Sequence, residues 1–192
     1  MLEKSYWEDR YVNGETGWDM GIVSPPLAAY IDSLHDKNQR ILIPGCGNGY
    51  EAEYLLHCGF SDITLIDLAD TPVKRLQTVF KDASAIHIIQ GDFFEHRGQY
   101  DIILEQTFFC AIDSALRKAY VLKMAELLTP GGKLAGVLFD KEFDKTGPPF
   151  GGRAAEYIAI FSSHFTILSM EPCKNSHPKR QSSELFFELE RK

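Results

Sequence analysis

Four apolar residues, Ile41-Leu42-Ile43-Pro44, run directly into a turn with glycine at every second position, Gly45-Cys46-Gly47-Asn48-Gly49. A short apolar run ending this way reads as a buried parallel strand, because a strand covered on both faces shows no polar alternation. Glycine lets the backbone turn tightly and come close to a ligand at the carboxyl edge of such a sheet. Many strand-to-helix junctions that bind nothing use the same residue, so the turn does not decide function by itself. It does set the topology. Residues 50–58 follow as a helix with Ala52, Leu55 and Leu56 on one face and Gly59 as its stop, and residues 63–67 are the second strand. Thr71-Pro72 predicts the start of the next helix, an N-cap followed by proline at the first helical position.

The alternation continues. Strands are expected at residues 85–89, 100–105 and 133–139, with an amphipathic helix over 115–128. The tail reads as a helix over 153–165 and two strands, 166–170 and 184–190. The direct link between those two suits an antiparallel pair at one edge better than a crossover. Residues 1–36 read as two helices broken by Gly14, Gly17, Gly21 and Pro25-Pro26. The expected fold is therefore α/β: a doubly wound, mostly parallel, seven-stranded Rossmann-like sheet with an N-terminal helical lid. One domain spans 1–192, with the lid over 1–36 and the core over 37–192, a length that suits a single core.

Composition removes several function classes. A net charge of −7 disfavours a nucleic-acid surface, and the only dense basic pair, Lys179-Arg180, is too short to change that. No run approaches the roughly 18 consecutive apolar residues of a membrane span, and no signal-peptide core opens the chain, so no membrane partner and a cytoplasmic location are expected. The four cysteines, Cys46, Cys58, Cys110 and Cys173, are far apart and form no CxxC pair. That spacing predicts reduced thiols and no metal site.

Asp67 ends the second strand 20 residues after Gly47, where a carboxylate can accept both ribose hydroxyl protons. The glycine spacing is GxGxG, with Tyr50 where a dinucleotide fingerprint needs its third glycine. That departure points away from a pyrophosphate and towards a cofactor without one. Gly91-Asp92-Phe93, after the third strand, adds a carboxylate able to bond an adenine amino group and a ring able to pack on the base. Taken alone, Asp92 reads equally as a helix cap or turn residue. The register of three features at three successive strand ends is what favours a nucleoside-bearing cofactor.

The 45–49 turn, Asp67, Gly91-Asp92 and Leu128-Thr129-Pro130-Gly131-Gly132 together resemble a class I S-adenosylmethionine methyltransferase. The resemblance narrows with Trp7-Glu8-Asp9-Arg10-Tyr11, Thr16-Gly17-Trp18-Asp19, Glu105-Gln106-Thr107-Phe108-Phe109-Cys110-Ala111-Ile112 and Gly147-Pro148-Pro149-Phe150. These stretches are similar to the thiopurine S-methyltransferase family, in particular its thiol, thiocyanate and halide branch. The similarity runs from about residue 6 to the C-terminus. It implies S-adenosyl-L-methionine as cofactor and a small soft nucleophile as acceptor. It also implies that Trp7 and the stretch through Trp18 close over the cofactor, with Trp18 facing the acceptor. Gly45, with Gly47 and Gly49 in the same turn, would meet the methionine portion, Asp67 the ribose, and Asp92 with Phe93 the adenine. Gln106 would sit beside the cofactor. Drug-metabolising members carry arginine at the Gln106 position and lack the full glycine set, which points away from thiopurines as the acceptor.

For the acceptor pocket the candidates are Trp18, Asp19, Phe109 and Phe150, with Trp7 and Phe108 as further walls; core packing is the competing reading for each ring. Asp19 and Glu105 are read either as acceptor-positioning groups or as structural carboxylates. No histidine among His35, His57, His87, His96, His164 and His177 is paired with a carboxylate in a recognisable arrangement, His177 coming nearest. Cys110 reads as a small buried apolar residue. Two rival functions remain. A nicotinamide-dependent oxidoreductase is disfavoured by Tyr50 at the third-glycine position, and a non-catalytic binding module by the intact glycine turn, Asp67 and Asp92.

Overall fold

Alternate residues of the central strands feed two separate cores. The computed structural model describes residues 3–144 and 146–192; residues 1 and 2, part of the expected N-terminal extension, and residue 145 lie outside the described residues. Strand β1 (Arg40–Pro44) turns Ile41 and Ile43 to one face of the sheet and Leu42 to the other, and all three are buried. Burying each contributes about 1.5–3 kcal/mol, so neither face tolerates a polar residue and the strand reads as one unbroken apolar run. Strand β2 (Asp62–Asp67) and strand β4 (Tyr100–Gln106) repeat the pattern, with Ile63, Leu65, Ile102 and Leu104 on one side and Ile66 and Ile103 on the other.

The sheet has seven strands in the order β3-β2-β1-β4-β5-β7-β6, where β3 is Ile86–Gln90, β5 is Leu128–Phe139, β6 is Phe165–Pro172 and β7 is Glu184–Arg191. The first five are parallel; β7 runs antiparallel to both β5 and β6. The chain thus has the doubly wound, mostly parallel sheet expected of it, with the tail hairpin at one edge. Strand order reverses between β1 and β4, and in such sheets ligands bind at the carboxyl ends beside that switch point.

Helices α2 (Pro25–Ser33), α3 (Tyr50–His57) and α4 (Asp70–Val79) cover one face through Leu27, Ile31, Leu55 and Leu76. Helices α5 (Arg117–Leu127) and α6 (Ala154–Phe161) cover the other through Tyr120, Met124, Tyr157 and Phe161. Pro25 and Pro26 open α2 rather than breaking the chain between helices, and α2 belongs to the layered core. Only α1 (Lys4–Val12) and the stretch to residue 24 stand outside it. Among the described residues no helix is long and apolar enough to cross a membrane.

Several boundaries differ from expectation, β5 beginning at Leu128 rather than residue 133. Helix α4 begins at Asp70, so Thr71 and Pro72 lie inside its first turn. Instead of capping its own helix, Thr71 donates its amide and hydroxyl to the Glu8 carboxylate of α1, at 3.0 and 2.5 Å. Helix α6 stops at Phe161, four residues early, because the Ser162 and Ser163 hydroxyls bond back to the Ile158 and Ile160 carbonyls and Phe165 joins β6. A single 3-10 turn, Ser114–Leu116, precedes α5, its Ala115 amide held by the Asp113 carboxylate.

Candidate active site

At the carboxyl ends of β1, β2, β3 and β4 lies a cavity of about 480 Å³, within the usual size range of small-molecule sites. The glycine turn forms its floor. Gly45 has φ +58°, and a side chain there would drive a Cβ to 2.4 Å from the Phe108 ring. Gly47 has φ +50°, faces the Tyr11 hydroxyl, and donates its amide to Asp67 Oδ2 at 3.0 Å. Gly49 serves the fold instead: it caps α3, and a Cβ there would strike Leu76 at 2.5 Å. It lines neither the cavity nor the recess beside it.

Asp67 is buried at the mouth of β2. Its Oδ1 accepts the Ala69 amide at 3.0 Å, and each oxygen, holding one backbone donor, keeps a further lone pair for a ligand. Burial raises its pKa, and the Ala69 and Gly47 amides pull the other way. Asp92 lines the cavity while its Oδ1 accepts the Phe94 amide at 2.8 Å, so the turn role and the wall role coincide. Phe93 reaches the cavity from the core, edge-on to Phe108 with ring centres 5.1 Å apart.

Over this floor passes an aromatic strap. Trp7 and Tyr11 of α1 meet Trp18 edge-on at 5.6 and 5.5 Å. Asp19 lines the cavity but is committed: Oδ1 accepts the Gly21 amide at 2.7 Å, and Oδ2 accepts from the Asn48 side chain and from the Tyr50 hydroxyl. It ties the strap to the glycine turn. Gln106 lines the cavity from the end of β4, its Oε1 accepting the Thr107 hydroxyl at 2.9 Å.

Two aromatic candidates do not reach the cavity. Phe109 is fully buried among Tyr120, Tyr157 and Phe161, and Phe108 takes the wall position instead. Phe150 is held by its backbone, donating its amide to the Cys110 carbonyl at 2.7 Å and accepting from Arg117; Pro148 and Pro149 line the cavity in its place. No histidine among the described residues lines it. Cys110 does, but burial pushes its thiol far up and its Sγ points at the Thr107 carbonyl, so it is no thiolate nucleophile.

The largest surprise is Arg180. The sequence pairs it with Lys179 as a surface patch, whereas the structure turns it inward, 8% exposed. It lines the cavity, with Nη1 on Glu184 at 3.2 Å, Nη2 on the Trp18 carbonyl at 2.6 Å, and its guanidinium 5.4 Å from the Phe139 ring centre. Phe139, Phe143, Pro148 and Pro149 line the same cavity, whose wall carries carboxylates, Asp67, Asp92 and Asp113 among them, together with the cations Arg10, Lys141, Lys179 and Arg180. Tyr11, Phe139, Phe143 and Arg180 are among the cavity residues to which the sequence alone assigns no role. Tyr11 stands four positions after Trp7, one helical turn on; Arg180 carries no such local signal.

The family described as thiopurine S-methyltransferase (TPMT) matches residues 2–190. A probable thiol methyltransferase 2 of Arabidopsis thaliana is 31% identical over 80% of this chain and 70% of its own. Thiocyanate methyltransferase 1 of Brassica oleracea is 27% identical over 95% and 83%, and a thiopurine S-methyltransferase of Vibrio parahaemolyticus serotype O3:K6 24% over 93% and 91%. In fold, the chain is similar to the Burkholderia thailandensis 1,6-didemethyltoxoflavin-N1-methyltransferase, solved with S-adenosylhomocysteine, at a TM-score of 0.82, 17% identity, and coverage of 98% and 86%.

Proposed function

The chain belongs to the thiopurine S-methyltransferase family, and on that premise we propose how its cavity divides the work of methyl transfer. The protein is an S-adenosylmethionine-dependent methyltransferase acting on a thiol-type acceptor. What remains to assign is which residues hold the cofactor and which meet the acceptor. The observation that carries the assignment is that one cavity joins the carboxylates of Asp67 and Asp92 with the buried Arg180 guanidinium and the apolar Phe139, Pro148 and Pro149.

The residues fit the cofactor. Beside the glycine turn a small recess is lined by Asp19 and Glu51 and by no lysine or arginine, a setting that suits an ammonium and a sulfonium and would repel a pyrophosphate. When bound, S-adenosylmethionine supplies a methyl group already activated on a positively charged sulfur. Asp67 accepts the ribose hydroxyls, Asp92 and Phe93 hold the adenine, and Gly45 lets the methionine portion approach the backbone. Gly47 acts through Asp67, whose orientation its amide fixes. Gln106 borders the same ligand. Trp7, Tyr11 and Trp18 close over it and exclude water, and a ring face near the sulfonium adds about 0.5–2 kcal/mol.

For the acceptor, Arg180 draws an anion in, while Phe139, Pro148 and Pro149 keep its surroundings dry. No histidine among the described residues lines the wall and Cys110 is held as a thiol, so on this reading the chain takes no proton from the acceptor. Its contribution is alignment, which can lower a barrier by about 7–11 kcal/mol. Thiolate, thiocyanate and halide meet that condition by arriving ionised. Thermal unfolding with S-adenosylhomocysteine or NAD tests the cofactor half: the first raises the midpoint and the second does not, and stabilisation by NAD alone would overturn the reading.

A further inference from the structure

One buried acid takes no part in that division of work. Glu105, near the end of β4, is fully buried and does not line the cavity. Its Oε1 accepts the Phe108 amide at 2.6 Å and the Phe109 amide at 2.9 Å, while Oε2 has no hydrogen-bond partner. On the neighbouring strand its register partner is Gly136, where a Cβ would lie 2.3 Å from the Glu105 carbonyl oxygen and 2.6 Å from its Cβ. A glycine in the middle of a strand weakens it; here the missing side chain leaves room for Glu105. The turn that Glu105 holds begins at Thr107, which is not glycine yet has φ +59°, a conformation that persists only where its surroundings enforce it. That turn supplies Gln106, Thr107, Phe108, Cys110, Ala111 and Ile112 to the cavity wall.

We propose that Glu105 is a positioning residue for methyl transfer, its ionised carboxylate holding the strained 107–110 turn in the shape that aligns acceptor and cofactor. The proposal rests on the methyltransferase reading. An ionised acceptor makes both amide bonds charge-assisted and roughly twice as strong as neutral ones, so protonation loosens the turn. The groups facing Glu105 are Arg180 from the tail turn, Cys110 from the held turn and Tyr120 from α5. Of these only Arg180 carries charge near neutrality, and it favours the ionised form. Burial opposes it more strongly, and the carboxyl is pushed up to about 7. The switch therefore falls in the working pH range.

Two measurements on wild type and Glu105→Gln, which keeps an oxygen acceptor but no charge, decide the matter. With thiocyanate, an acceptor that does not titrate near neutrality, wild-type kcat should fall several-fold as pH drops through about 7. Glu105→Gln should give a lower, pH-independent kcat with cofactor affinity within about twofold of wild type. Infrared difference spectra across the same range should show a protonated-carboxyl band appear in the wild type and not in the variant. A kinetic limb that survives in Glu105→Gln would overturn the proposal. So would equal losses of kcat and cofactor affinity, or the absence of the carboxyl band. Failure of the wild type to methylate any soft acceptor would strike the functional reading instead, and the infrared result would still decide whether Glu105 titrates.

Discussion

Asp67 has two tasks at one carboxylate, fixing the Gly47 and Ala69 amides and offering its remaining lone pairs to a ligand. Asp67→Ala should weaken S-adenosylmethionine binding by about 1.5–3 kcal/mol, the worth of hydrogen bonds to a charged group. Calorimetry with unchanged affinity would move Asp67 out of the site. Arg180 also has two tasks, and they can be separated. It is nearly buried and its partner Glu184 more so, with side-chain exposures of 8% and 2%. Arg180→Met should therefore cost about 3–5 kcal/mol of stability, because it strands a buried carboxylate. Adding Glu184→Leu should restore most of that stability without restoring KM for thiocyanate. If the double variant binds thiocyanate like wild type, Arg180 holds the fold and not the acceptor.

Among the elements, the strap of α1 and residues 13–21 is the one proposed to move. None of the α1 residues is fully buried, and the strap is held by few polar ties: Glu8 to Thr71, Lys4 to Asp70 at 2.6 Å, Asp19 to the glycine turn, and the Trp18 carbonyl to Arg180. Hydrogen exchange over residues 5–20 should slow when S-adenosylhomocysteine is added; equal protection in both states would show that the strap is not a lid. Those ties also explain what the sequence makes legible. The strand-turn-helix of residues 40–58 is local, since apolar run, glycines and helix pattern are contiguous, and its register with Asp67 follows from chain spacing. The start of α4 is not local, because its cap comes from Glu8 in another helix 63 residues away. Phe108 and Phe109 are adjacent and chemically identical, and only the turn held by Glu105 decides which ring faces the cavity. Arg180 is similar: besides Glu184, four residues on, its inward course depends on a carbonyl 162 residues distant, which nothing near it in the sequence signals.

At the scale of the whole molecule, three buried acids, Glu51, Asp67 and Glu105, all have pKa values raised chiefly by burial. A raised acid gives stability that is complete below its unfolded value and is lost as pH rises through its folded one. For Glu105 that window runs from the model-peptide 4.5 to about 7. Stability of the free protein should thus decline between about pH 4.5 and pH 7 in calorimetry, and Glu105→Gln should flatten the decline. A midpoint that rises over that range would mean these acids are solvated. Two of them, Glu51 and Asp67, flank the glycine turn, so the molecule gives up stability towards neutral pH at a site that suits a cationic cofactor. The most direct test of the whole account is methyl transfer itself. Purified protein would be incubated with methyl-labelled S-adenosylmethionine and, separately, thiocyanate, iodide, a small thiol and a neutral hydroxyl analogue of that thiol. Label should pass to the sulfur and iodide acceptors, not to the hydroxyl compound, and Asp67→Ala should require more cofactor for the same rate. Label on the hydroxyl compound alone, or on none of the four, would contradict it.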